Sequence, residues 1–89
     1  MRFEVEVLVT LKPGLADPQG KAVESALPAL GWTNVTGVRV GKVVRLELDA
    51  TDEDAARSQV DEMATRFLSN PVIEDHDIAG LTPLGIEET

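Results

Sequence analysis

The chain has 89 residues, no cysteine and a formal net charge of −8 at pH 7. This length predicts one domain, residues 1–89, which is small enough to gain core by self-association. The charge argues against nucleic acid and anionic membranes as partners, and the lack of cysteine excludes disulfides and thiolate metal sites. With no apolar run long enough to cross a membrane and no signal-peptide pattern, we expect a cytoplasmic protein.

The first predicted element is a strand over residues 3–11, because apolar and polar residues alternate there. A rigid turn follows, Lys12–Gly20, with two prolines and two glycines. Asp17 is expected to cap a helix that begins at Pro18, and Gly31 is expected to end it. We expect Pro28 to distort the last turn of this helix. Its predicted apolar stripe consists of Val23, Ala26, Leu27 and Leu30.

Residues 35–40 and 43–49 predict a β-hairpin around Gly41-Lys42. A two-residue turn would mix apolar and charged side chains on both faces of this hairpin. One extra residue would instead collect the apolar side chains on one face, which favours a three-residue loop with a bulge. The alternative is that both faces of the sheet are partly covered, as subunit packing would do.

A second helix is expected to begin within residues 51–54, where acidic side chains favour the positive end of the helix dipole. Its predicted apolar stripe consists of Ala56, Val60, Met63, Ala64, Phe67 and Leu68. Asn70-Pro71 should end it, and residues 72–78 predict an edge strand protected by acidic side chains. Residues 79–89 form a tail that is either loose or packs on a sheet edge or a neighbouring subunit.

The predicted order is β-α-β-β-α-β, and each helix has one apolar stripe to bury. The order favours an α+β two-layer sandwich of the ferredoxin-like type, with both helices on one face of an antiparallel sheet. The carboxylates lie at solvated positions, and His76 has no evident catalytic partner. Gly41-Lys42 lacks the spacing of a phosphate-binding loop. We therefore expect no catalytic residue, no cofactor site and no metal site on this chain.

Three segments resemble a known family: V-x-V-x-L-K-P-G-L-A-D-P-Q-G-K-A-V at 7–23, V-R-V-G-K at 38–42 and L-S-N-P-V-I-E at 68–74. In order and spacing they are similar to PurS subunits of phosphoribosylformylglycinamidine (FGAM) synthase. The resemblance implies a small non-catalytic subunit that bridges a PurQ-like glutaminase and a PurL-like synthetase and assists ammonia transfer. It also implies a homodimer or a dimer of dimers, with ATP and Mg²⁺ used by the synthetase partner.

The resemblance also implies a set of residues that contact the partners. Turn and cap geometry by itself explains Pro18, Gly20 and Pro71. Gln19, Arg39 and Lys42 have polar ends with no required structural role, so they are stronger contact candidates. The whole set is Lys12, Asp17, Pro18, Gln19, Gly20, Arg39, Gly41, Lys42, Asn70, Pro71 and Val72.

Two other function classes fit the same order of elements. An ACT-type regulatory module would bind a small molecule at a subunit interface. An acylphosphatase-type enzyme is less favoured, because Asp17 lies where that chemistry needs a cradle for an anion.

Overall fold

The computed structural model describes residues 1–85, and this part of the chain contains three strands and two α-helices. The strands form one antiparallel sheet in the order β2-β1-β3. The predicted α+β class and antiparallel sheet are confirmed. No helix within residues 1–85 is long and apolar enough to cross a membrane. The elements are β1 (Arg2–Leu11), α1 (Pro18–Ala26), β2 (Lys42–Asp49), α2 (Glu53–Met63) and β3 (Glu74–Leu84).

The core lies between β1 and α2. The predicted alternation in β1 is confirmed, because its four inward side chains from Phe3 to Val9 are at most 1% exposed. Helix α2 packs over β1 and β3. The central strand therefore supplies one wall of the core and α2 supplies the other. The buried residues are Phe3, Val5, Val7, Val9, Ala56, Val60 and Ala64.

Helix α1 begins and ends as the sequence predicts. Asp17 is its N-cap and Pro18 its first residue. At Leu27 the helix tightens into a 3₁₀ turn, Leu27–Leu30, and Gly31 ends it with a φ of 105°. Its apolar stripe is largely exposed, however, at 44% for Val23 and 67% for Leu30. Of the two helices, α2 covers the buried face of the sheet.

The predicted hairpin is wrong in its first strand. Residues 35–41 form no strand, and β2 begins only at Lys42. The backbone N–H of Val38 donates to Glu24 Oε1 at 3.2 Å, and that of Val40 donates to Asp17 Oδ2 at 2.7 Å. Because two side-chain carboxylates take these donors, the segment runs beside the start of α1 and does not pair with β2.

Helix α2 continues into a π-helical turn, Ala64–Leu68. The N–H of Ser69 donates to the carbonyl of Ala64 at 2.9 Å, a span of five residues. A π-helical turn contains about one residue more than an α-helical turn. Each side chain after it therefore points where the preceding residue would point in an uninterrupted α-helix. Phe67, which the sequence places in the core, is therefore 87% exposed, whereas the predicted packing of Leu68 against the core is confirmed.

The last strand begins later and runs further than predicted. Asn70 Oδ1 accepts the N–H of Val72, and the Asn70 carbonyl accepts that of Glu74, so this segment is a turn. Residues 79–84 of the predicted tail continue β3 and pair with β1, ending opposite Arg2. The tail therefore belongs to the chain's own sheet as far as Leu84. Residues 86–89, including Ile86, lie outside the described residues.

Candidate functional site

The three segments that carry the family resemblance meet at one end of the sheet. Strand β1 finishes there, with Val9 opposite Lys42 of β2 and Leu11 opposite Glu74 of β3. The N–H of Lys12 also donates to the carbonyl of Ile73 at 2.8 Å. We call this region, formed by residues 12–20, 39–42 and 70–72, the turn end. All the contact candidates predicted from the sequence lie in it.

Asp17 holds the turn end together. One carboxylate oxygen accepts the N–H of Gly20 at 3.0 Å, and the other accepts that of Val40 at 2.7 Å. The side chain is only 6% exposed. These hydrogen bonds, from Gly20 first and Val40 second, together with the positive charge of Arg39, hold the pKa of Asp17 below its ordinary value. The carboxylate therefore stays ionised and joins the start of α1 to the segment before β2.

Arg39 has a structural role that the sequence interpretation missed. Its guanidinium donates to the carbonyls of Leu15 at 3.2 Å, Lys12 at 3.3 Å and Leu11 at 3.4 Å. Its Nε lies 4.0 Å from Asp17 Oδ2. The side chain therefore fixes the turn after β1. No local pattern signals this role, because the acceptors are backbone atoms more than twenty residues away.

Close backbone approach explains the two glycines in the set. A Cβ on Gly20 would lie 2.4 Å from the carbonyl oxygen of Val38. A Cβ on Gly41 would lie 2.4 Å from the carbonyl oxygen of Val9. Both distances are far below van der Waals contact, so these positions need glycine for packing.

Lys12 and Asn70 also make contacts within the chain. The ammonium of Lys12 lies 2.7 Å from Asp75 Oδ1 on β3. Asn70 accepts backbone N–H groups through its side chain and its carbonyl, and Pro71 lies within that turn. The structure thus gives Lys12 an ion-pair partner, although the sequence assigned its side chain no structural role.

Eight residues of the set are exposed, and four of them are Pro18, Gln19, Lys42 and Val72. Val72 is 79% exposed. The other three line a shallow groove of about 430 Å³, beside Thr10 and Glu74, which the sequence analysis did not single out. Lys42 makes no ion pair within residues 1–85.

The described residues outside the turn end offer little reactive chemistry. His76 Nε2 lies 2.6 Å from Asp61 Oδ1, so this histidine ties β3 to α2. Most of the arginines pair with carboxylates across strands or along α2. No group of three metal-ligating side chains occurs within residues 1–85. The turn end presents a shaped surface with an amide and an ammonium group.

Sequence comparison identifies the family. The model of the PurS family, described as phosphoribosylformylglycinamidine (FGAM) synthase, matches residues 4–81. The phosphoribosylformylglycinamidine synthase subunit PurS of Synechocystis sp. is 43% identical over 74 residues, which cover 83% of this chain and 74% of that protein. These matches favour the PurS interpretation over an ACT-type module.

Solved structures agree with the sequence match. PurS of Thermus thermophilus superposes with a TM-score of 0.86 at 38% identity and covers 96% of this chain and 100% of its own. A chain in the structure of PurLQS from Thermotoga maritima gives a TM-score of 0.80 at 26% identity, covering 94% of this chain and 99% of its own. The chain therefore belongs to the PurS family, the PurS subunits of FGAM synthase in purine biosynthesis.

Proposed function

We propose that this chain is the bridging subunit of an FGAM synthase complex. It contacts a PurL-like synthetase and a PurQ-like glutaminase and assists the passage of ammonia between them. The observation that carries the proposal is the turn end, where Asp17 and Arg39 fix the turn after β1 to the segment before β2 and leave Gln19 and Lys42 exposed. The match to a chain in the structure of PurLQS supports an assembly of this kind.

The chemistry of the reaction explains why a bridging subunit is useful. The glutaminase releases ammonia from glutamine, and the synthetase uses ATP and Mg²⁺ to activate formylglycinamide ribonucleotide for attack by that ammonia. In neutral water ammonia is protonated and loses its nucleophilic lone pair, so a path that excludes water preserves its reactivity. A subunit that shapes such a path needs a fixed surface and no reactive group of its own.

The proposal has two further parts. Copies of the chain associate as a homodimer or a dimer of dimers, which presents more than one turn end to the partner subunits. The complex acts in the cytoplasm, where ATP and glutamine are available. ATP and Mg²⁺ bind to the synthetase subunit.

Co-purification tests the bridging role. A tagged copy of this chain is mixed with PurL-like and PurQ-like subunits, glutamine and nucleotide, and the captured subunits are quantified. We expect both partners to be captured. The double variant Gln19→Ala, Lys42→Ala should bind them about tenfold more weakly, the effect of losing roughly 1.4 kcal/mol.

Gln59→Ala is the matched control for the amide. Gln59 is exposed on α2 beside Met1, at the opposite end of β1 from the turn end. The Gln59→Ala variant should capture both partner subunits as well as wild type does. Failure to capture either partner, or an equal loss with Gln59→Ala, would contradict the proposal.

A further inference from the structure

The groove at the turn end gathers polar side chains that the fold itself does not use. The end of β1, the start of α1 and the first residues of β2 and β3 line it, and it encloses about 430 Å³. That volume lies within the range of sites that bind a small molecule or a short segment of chain. We call it the turn-end groove.

Two opposite charges lie on one face of the sheet at this groove. Lys42 of β2 is paired with Val9 on one side of β1, and Glu74 of β3 is paired with Leu11 on the other side. Paired residues share a face of the sheet, and Val9 and Leu11 are two positions apart, so both charges lie on the face that carries α2. Strand β1 separates the backbones of β2 and β3 by about 10 Å. Lys42 and Glu74 form no ion pair with each other.

The polar side chains of the groove keep hydrogen-bonding capacity. Glu74 Oε1 accepts the N–H of Asn70 at 2.7 Å, and its second oxygen makes no hydrogen bond within residues 1–85. In the same part of the chain, neither the ammonium of Lys42 nor the side-chain amide of Gln19 has a partner. A cation, an anion and an amide therefore line one groove and remain available to a ligand.

We propose that the turn-end groove receives an extended segment of a partner subunit, which presents a carboxylate to Lys42 and a single N–H or ammonium donor to Glu74. Because the Asn70 N–H already occupies one oxygen of Glu74, a single donor fits there better than the two-pronged guanidinium of an arginine. The Gln19 amide both donates and accepts, as pairing with an extended backbone requires. This inference rests on the proposed function and names the chemistry of the partner at that site.

Shape and charge favour a partner segment over a second copy of the chain. A two-fold axis through the groove would place one concave surface against another, and neither could fill the other. A protruding segment can reach Lys42 and Glu74 together. The order of the two charges also fixes the direction of the segment, because a reversed segment would bring like charges together.

Glu74→Gln tests the anion of the groove in the co-purification assay. Glutamine can still accept the Asn70 N–H, but it lacks the charge that attracts the donor of the segment. We expect at least one partner subunit to be captured about tenfold more weakly. If Lys42 alone attracted an acidic partner, the same substitution would strengthen capture, because it removes one negative charge from a chain of net charge −8.

Asp54→Asn is the matched control for Glu74→Gln. Asp54 is exposed in the first turn of α2, and its substitution removes the same charge. This variant should capture the partners as wild type does. Lys42→Glu should weaken capture about a hundredfold, because it sets a like charge against the carboxylate of the segment. Lys21→Glu makes the same charge change on α1 outside the groove and should have little effect. Melting curves check that the variants stay folded.

Lysine labelling reports the occupancy of the groove without any substitution. An amine-reactive acetylating reagent is added to the free wild-type chain and to its complex with the partner subunits. Mass spectrometry then measures acetylation at each lysine. Acetylation of Lys42 should be largely lost in the complex, whereas that of Lys21 should change much less.

Three results would overturn the inference. The first is capture by Glu74→Gln as strong as by wild type, or Lys42 acetylation as fast in the complex as in the free chain. The second is a free chain whose melting temperature rises with millimolar glutamine or glutamate in wild type but not in Glu74→Gln, since a free amino acid would then occupy the groove. The third is altered self-association of Glu74→Gln in sedimentation, which would assign the groove to a second copy. Wild type can still capture both partner subunits in each case, so this inference and the bridging role can fail separately.

Discussion

Asp17 is the residue on which the turn end depends. A usual N-cap carboxylate accepts one or two N–H groups within its own helix. This one accepts Gly20 with one oxygen and, with the other, the N–H of Val40, which lies 23 residues later in the chain. The same side chain thus starts α1 and fixes the segment that leads into β2.

Asp17→Asn should lower the melting temperature by about 4–8 °C, which corresponds to losing one cap for a domain of this size. The amide can accept one of the two N–H groups, but its NH₂ then faces the other donor. Asp52→Asn is the matched control, because Asp52 caps α2 by accepting the N–H of Ala55. Asparagine caps about as well as aspartate, so that variant should melt within about 2 °C of wild type. Calorimetry at one protein concentration measures both.

The difference in melting temperature between wild type and Asp17→Asn should depend on pH. The pKa of Asp17 is lowered in the folded state, chiefly by the Gly20 hydrogen bond, so its contribution is present above the unfolded pKa and is lost as pH falls through the folded pKa. The gap in melting temperature between wild type and Asp17→Asn should be full at pH 7 and shrink below about pH 4. A gap that widens on acidification would contradict the role given to this carboxylate.

At the scale of elements, the π-helical turn at the end of α2 decides which side chain closes the core. An uninterrupted α-helix would turn Phe67 toward β1. The five-residue hydrogen bond from Ser69 to Ala64 turns it out to solvent and brings Leu68 in. The exposed Phe67 side chain then lines a surface groove together with Met63 and Arg66.

Paired alanine substitutions test this assignment. Phe67→Ala should change the free energy of unfolding by less than about 0.5 kcal/mol, as for most surface substitutions. Leu68→Ala should cost about 1–3 kcal/mol, somewhat less than a fully buried leucine because Leu68 keeps some exposure. Urea denaturation compares the two. A larger loss for Phe67→Ala than for Leu68→Ala would contradict the π-helical register.

Local signals made much of this fold predictable. The alternation in β1 and the Asp17-Pro18 start of α1 depend on neighbouring residues, and both are confirmed. The hairpin failed because carboxylates distant in the sequence take the donors of Val38 and Val40. Phe67 was misplaced because the prediction assumed an even helical period.

The candidate site, too, was only partly predictable from the sequence. Its residues came from the motifs, and the three segments, residues 12–20, 39–42 and 70–72, meet in the structure. The separate roles within it did not follow. Arg39 and Lys12 make contacts inside the chain that come from tertiary packing, and sequence spacing carries no trace of such contacts.

At the scale of the whole molecule, this is an acidic chain with a net charge of −8 and a fixed, exposed turn end. Lys42 and Gln19 stand at that end as a cation and an amide on an otherwise negative protein. Such a surface can select its partner and set its orientation by complementary charge. Exposed apolar side chains also lie on α1 and β2.

The rate of FGAM formation, measured with glutamine and separately with ammonium salt as nitrogen donor, tests the central claim most directly. The synthetase and glutaminase are assayed with and without this chain. If the chain assists ammonia transfer, omitting it should lower the glutamine-dependent rate by at least about tenfold, equivalent to roughly 1.4 kcal/mol. The rate with saturating ammonium salt should then change much less. An equal loss of both rates, or no change in the glutamine-dependent rate, would contradict the account.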